Sequence, residues 1–164
     1  MLKMKNLIVI RHAKSSWNLP LEDIDRTLEK RGVSDAKLVA ASSVKILPQR
    51  FVICSSIAKR ASATARIFAE VLGYPVAQIV FNEELYTFDG SKLEQIVRSL
   101  DNGFDNIILF GHNEAITNFV NKFGDVSIEN IPTSGLVFIR FDTDNWQAIT
   151  KGKTLKTIFP KDLK

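Results

Sequence analysis

The chain has 164 residues, 45% of them hydrophobic, with 22 Lys and Arg against 18 Asp and Glu and a formal net charge of +4. That length supports one domain with a sizeable core and leaves no room for two ordinary ones. The basic excess is spread along the chain among acidic residues, so it does not imply nucleic acid, and the single cysteine, Cys54, excludes an internal disulfide and a cysteine-rich zinc site.

In chain order, the apolar run before Arg11 is too short for a signal peptide, and no later segment reaches membrane-spanning length. The expectation is a cytoplasmic protein that uses no membrane. Residues 7–10 read as a buried strand ending in Arg11 and His12. A helix follows over about 28–44, opened by "DRTLEKRG". Residues 51–54 form a second strand, 57–72 a helix stopped by Gly73 and Pro75, 77–81 a third strand and 91–100 a third helix. A fourth strand spans 107–110, and a helix capped by Asn113 runs to about residue 123. After "IPTSG", the stretches "LVFIRF" and "WQAIT" read as two strands joined by a polar turn, and the lysine-rich residues 151–164 as a solvated or loosely docked tail. No repeat, low-complexity segment or linker divides the chain. The order of elements predicts a three-layer α/β/α sandwich with a mostly parallel central sheet and an antiparallel C-terminal element.

In such sheets, ligands gather outside the carboxyl ends of the parallel strands. The four predicted strands are followed there by Arg11 and His12, by "SSIAKR" with Arg60, by "NEE" with Glu83 and Glu84, and by "GHN" with His112. Either histidine alone has a plainer reading as a satisfied structural residue. Both at strand ends, on the same edge as two arginines, point to a site. Arg60 and Lys59 also fall in the first turn of a helix, where the macrodipole disfavours cations, so an anion is expected beside them. This set suffices for phosphoryl transfer without a metal. His12 attacks phosphorus through a ring nitrogen, while Arg11, Arg60 and protonated His112 stabilise the equatorial oxygens. A carboxylic acid would protonate the leaving oxygen and later activate water; Glu83 is the first choice, with Glu84 in reserve on the substrate side.

"IVIRHAKSSWN" resembles the Arg-His-Gly signature of the histidine phosphatase superfamily, with Ala13 in place of the usual glycine. "RHAKS" followed by "DRTLEKRG" is similar to the small SixA-type phosphohistidine phosphatases, and "SSIAKRASATA", "NEELY", "ILFGHNEAIT" and "PTSG" extend the resemblance over nearly the whole chain. It implies a phosphoglycerate-mutase-like fold, His12 as nucleophile, Arg11, Arg60 and His112 as phosphate ligands, and no metal or organic cofactor. It also makes Asn18 a candidate phosphoryl contact, against its reading as a turn residue before Pro20, and Arg26 a candidate basic rim, against a surface role at a helix start. The lid-like insertion of the wider family is missing between Tyr86 and the helix near Leu93. An open site suits a phosphorylated protein, such as a phosphocarrier or a histidine-containing phosphotransfer domain; a small phosphorylated metabolite is the alternative substrate, and a non-catalytic phospho-ligand-binding domain a further one. Two other motifs compete. "CSSIAKR" has the C-x5-R spacing of cysteine-dependent phosphatases but no glycine to curl around a phosphate, and "GKT" at 152–154 has Gln147 where a P-loop needs glycine.

Overall fold

The computed structural model describes residues 4–164. Ten elements follow in chain order: β1 (Lys5–Arg11), α1 (Lys30–Ser43), β2 (Val52–Ser56), α2 (Lys59–Leu72), β3 (Val80–Asn82), α3 (Gly90–Arg98), β4 (Asn106–Gly111), α4 (Ala115–Phe123), β5 (Leu136–Phe141) and β6 (Lys153–Ile158). The strands form one sheet in the order β3-β2-β4-β1-β5-β6. The first four are mutually parallel; β5 runs antiparallel to β1, and β6 antiparallel to β5.

β1 is aliphatic on both faces because both are covered. Leu7 and Val9 pack with α3 and α4, whereas Ile8 and Ile10 pack with α1 and α2. The same alternation divides Ile107 and Leu109 from Ile108 and Phe110 on β4. This is the expected three-layer arrangement. α2 stops at Gly73, whose φ of 72° is the left-handed conformation that lets the Tyr74 N–H reach back to the Ala69 carbonyl at 2.8 Å. Among the described residues, no helix is long and apolar enough to cross a membrane.

The C-terminal region departs from expectation. "WQAIT" is not a strand: Trp146–Ala148 is a 3-10 turn that drops Trp146, with no exposed surface, into the core beside α3 and α4. Its Nε1–H donates to the Phe104 carbonyl at 2.9 Å. The partner of β5 comes from the lysine-rich segment, which is β6 rather than a loose tail. Lysines along this edge strand discourage pairing with another sheet. Beyond it, Pro160–Leu163 turns back, Leu163 packs on the α1 and α2 side, and Lys164 Nζ lies 2.8 Å from Asp35 Oδ1. The third strand is also shorter than expected, because Val76–Gln78 is a 3-10 turn.

Candidate active site

β1 ends at Arg11, and the His12 N–H still donates to the Gly111 carbonyl of β4 at 3.1 Å, which fixes the imidazole at the strand mouth. His12 is 8% exposed. Its Nδ1 lies 2.7 Å from the Ala13 carbonyl, an acceptor only, so Nδ1 carries the hydrogen and Nε2 presents a lone pair. The Arg60 Nε–H points at that lone pair from 3.4 Å. Burial pushes the His12 pKa down to about 4; the Ala13 carbonyl opposes this, and the positive charges of Arg60, Arg11 and Arg26 reinforce it. At pH 7 the ring is neutral.

His112 follows β4 as His12 follows β1, and the two ring centroids are 5.2 Å apart. His112 Nε2 is 2.8 Å from Ser56 Oγ at the end of β2, while Tyr86 and Phe88 stand edge-on to its ring at 5.3 and 5.6 Å. Burial, then the proximity of His12 and Arg60, lowers its pKa to about 3 against an opposing pull from Asp23. At pH 7 His112 is therefore neutral, where the sequence expectation was a protonated ring. Five buried side-chain N or O atoms among the described residues lack a partner, and three of them are Arg11 Nε, His112 Nδ1 and Ser134 Oγ. The Ser134 N–H donates to the Arg11 and His12 carbonyls, so this unsatisfied hydroxyl belongs to a residue beside His12. Of these three residues only Arg11 lines the open cleft in front of His12; His112 and Ser134 lie behind that lining.

Arg60 sits in the first turn of α2 and is 2% exposed. The anion that this position calls for is partly supplied by the chain itself: Nη1 donates to the Asp23 carbonyl at 2.6 Å and Nη2 to Asp23 Oδ2 at 2.9 Å. Asp23 Oδ1 accepts from Arg26 Nη1 at 3.1 Å, and Oδ2 from the Tyr86 hydroxyl. Partial burial works to raise the Asp23 pKa, but the Tyr86 and Arg60 hydrogen bonds outweigh it and hold the carboxyl at about 2. Asp23 did not emerge from the sequence reading. Its only signal there was an acidic residue three positions before Arg26.

Arg26 is buried rather than a surface residue at a helix start. Its guanidinium binds Ser15 Oγ and the Ser16 carbonyl and lies under the Trp17 ring, 3.2 Å from the centroid. Together with Arg11, His12, Lys14, Asp23, Glu29 and Arg60, it lines an open cleft of about 520 Å³ whose apolar walls are Trp17 and Phe88. Asn18 is exposed and outside this lining, its N–H donating to Ser16 Oγ. Glu83 and Glu84 open an exposed 3-10 turn after β3; Glu84 pairs with Lys92 at 3.4 Å, and neither carboxylate lines the cleft. Cys54 lies within β2 rather than at its end, buried toward the α3 and α4 core, and burial pushes its thiol up to about 11. That removes the thiolate a cysteine phosphatase would need. Among the described residues, no three His, Cys, Asp or Glu side chains are grouped to hold a metal.

The irregular segment carrying Asp23 and Arg26 is fastened at both ends. Ser16 N–H bonds the Thr27 carbonyl at 2.8 Å, and Glu29 N–H the Lys14 carbonyl at 2.9 Å, so α1 starts at Lys30 rather than residue 28. Gly32 makes this junction possible: a Cβ there would stand 2.2 Å from the Lys14 carbonyl oxygen. Gly32→Ala is expected to push α1 from the segment and lower the unfolding free energy by about 1–3 kcal/mol, as measured by urea denaturation.

A family model described as the histidine phosphatase superfamily (branch 1) matches residues 7–99. The chain belongs to that family, and with it to the phosphatases. Solved structures similar to it include the protein histidine phosphatase SixA complexed with tungstate, at 18% identity and TM-score 0.79, covering 97% of this chain and 99% of that one. A structure described as a phosphohistidine phosphatase SixA from Agrobacterium tumefaciens aligns at 20% identity and TM-score 0.76, over 94% and 97% of the two chains. A mycobacterial glucosyl-3-phosphoglycerate phosphatase aligns at 13% identity and TM-score 0.66, over 93% and 98%. The fold is thus the phosphoglycerate-mutase-like α/β fold of these neighbours. No curated protein sequence matches the chain significantly.

Proposed function

We propose that this phosphatase works in the cytoplasm by transferring a phosphoryl group to His12 Nε2 and releasing it to water, and that its substrate is phosphohistidine on a protein. The observation that carries the reading is the orientation of His12: Nδ1–H is tied to Ala13, so Nε2 faces the cleft with its lone pair toward Arg60. In the first step the lone pair forms the N–P bond as the bond to the leaving group breaks, while Arg11 and Arg60 offset charge on the equatorial oxygens. In the second step water attacks phosphorus, inorganic phosphate departs and His12 is restored. The likeness to a SixA that binds tungstate, a tetrahedral oxyanion, supports an oxyanion pocket here.

What supports this substrate class is the shortage of free proton donors in the cleft. Asp23 is ionised and already holds three partners, Glu83 and Glu84 lie outside the lining, and Glu29, at the head of α1, is the one other carboxyl that lines the cleft. An alkoxide leaving group needs a strong proton donor, whereas imidazole, with a conjugate-acid pKa near 6.5, departs with little help. A phosphocarrier or a histidine-containing phosphotransfer domain presents such a group. The test compares kcat/KM on a phosphohistidine protein and on alkyl and sugar phosphates. Wild-type enzyme is expected to prefer the former by more than about a hundredfold, and the Glu83→Gln, Glu84→Gln double variant to keep that activity within about tenfold. Preference for a small ester would replace this reading with a small-molecule phosphatase.

A further inference from the structure

Arg60 needs an external device to aim it. It lies in the first turn of α2 beside Lys59, where the helix dipole and a neighbouring cation both push its charge away, and its long side chain has many rotamers. A guanidinium offers two forks, an end fork made by Nη1 and Nη2 and a side fork made by Nε and Nη2. Asp23 occupies the end fork, with its main-chain carbonyl at 2.6 Å from Nη1 and its carboxylate at 2.9 Å from Nη2. Nε is turned the other way, toward His12 Nε2 at 3.4 Å. The side fork therefore faces the nucleophile, and Nε–H passes from the Nε2 lone pair to a phosphoryl oxygen when that lone pair forms the N–P bond.

From this geometry we infer that Asp23 is a positioning residue that aims the side fork of Arg60 at the phosphoryl group approaching His12. The inference rests on the phosphoryl-transfer reading above. A carboxylate plugging the anion site would sit between Arg60 and His12, yet Arg60 Nε reaches His12 directly. One half of the clamp is a main-chain carbonyl, which neither titrates nor leaves without moving the Asp23–Asp25 turn. The clamp is itself held from two directions, by Arg26 Nη1 on Oδ1 and by the Tyr86 hydroxyl on Oδ2. Tyr86 in turn stands against the His112 ring, so one carboxylate links the placement of Arg60 to that of both histidines. The Asp23 carboxyl, low at about 2, keeps the clamp charged throughout the working pH range.

The test uses the full chain with Asp23→Ala and Asp23→Asn, an aryl phosphate as substrate, tungstate as an oxyanion probe, and the Arg60 Nε–Hε cross-peak in the NMR spectrum. Asp23→Ala is expected to lower kcat by roughly ten- to a hundredfold with KM changed by less than about threefold, because misaiming acts mainly on the transition state. Its Arg60 cross-peak should broaden or exchange faster with water. Asp23→Asn keeps both acceptors and should return kcat to within about threefold of wild type. A rise in kcat or tighter tungstate binding in Asp23→Ala would identify a plug and overturn the inference. An unchanged kcat with an unchanged Arg60 cross-peak would make Asp23 a bystander. If wild-type protein hydrolyses neither the aryl ester nor a phosphohistidine protein, the proposed function fails, while the cross-peak still decides whether Asp23 holds Arg60.

Discussion

His12→Ala is expected to form no covalent phosphoenzyme and to lose more than about ten-thousandfold in turnover, the scale seen when a covalent nucleophile is removed. Rapid quench of the wild-type enzyme with a labelled phosphodonor should trap an adduct that is labile in acid and stable in base. The same adduct in His12→Ala would sink the assignment. Cys54→Ser should leave it untouched, since that thiol is buried within β2 and its pKa is raised to about 11. The pH profile supplies a second check. As the proposed nucleophile His12 would attack only when neutral, and its pKa lies at about 4, below the ordinary value of 6.5. Activity is therefore expected above that pKa and should be lost as pH falls through it. Once corrected for ionisation of the substrate, kcat/KM should stay flat between about pH 5 and 7, where an unperturbed histidine would show a falling limb.

What the sequence revealed about this site is what strand ends can carry. Arg11 with His12, and His112, directly follow apolar runs, and a central strand buried on both faces leaves its next residue at the sheet edge whatever the loops do. Arg60 was legible for another reason: a cation in the first turn of a helix signals an anion. The side chains that shape the cleft from the segment between β1 and α1 were not legible in the same way. Asp23 and Arg26 owe their places to bonds between irregular stretches, Ser16 to Thr27 and Lys14 to Glu29, which no periodicity announces. Glu83 and Glu84 show the limit from the other side. They follow a strand as expected, but β3 is an edge strand of three residues that ends in a 3-10 turn, so strand phase no longer dictates direction. At the C-terminus, Trp146 and Ile149 are apolar residues three apart, a spacing that suits a turn dropping both into the core. The lysines of β6 disguise an edge strand as a tail.

Arg60→Ala is expected to lower kcat/KM by roughly two to three orders of magnitude, or about 2.7–4 kcal/mol of transition-state stabilisation. Three consequences add in the same direction. The guanidinium that faces His12 Nε2 at 3.4 Å is lost as a donor to the developing equatorial charge. The first turn of α2 loses its buried cation, and the N–H groups left there are weaker than a charged fork. The Asp23 carboxylate, deprived of Nη2, remains beside the cleft as a negative charge facing an anionic substrate. Arg60→Lys restores the charge but not the two forks, so it cannot hold Asp23 and address the phosphoryl group together; less than about tenfold of the lost activity should return. A readout independent of rate accompanies the loss. The Arg60 charge is one of the causes holding the His12 pKa down, so in Arg60→Ala that pKa should move up from about 4, as followed by the His12 ring signals in an NMR titration. A loss of activity below about tenfold, with the His12 pKa unmoved, would place Arg60 outside the reacting centre.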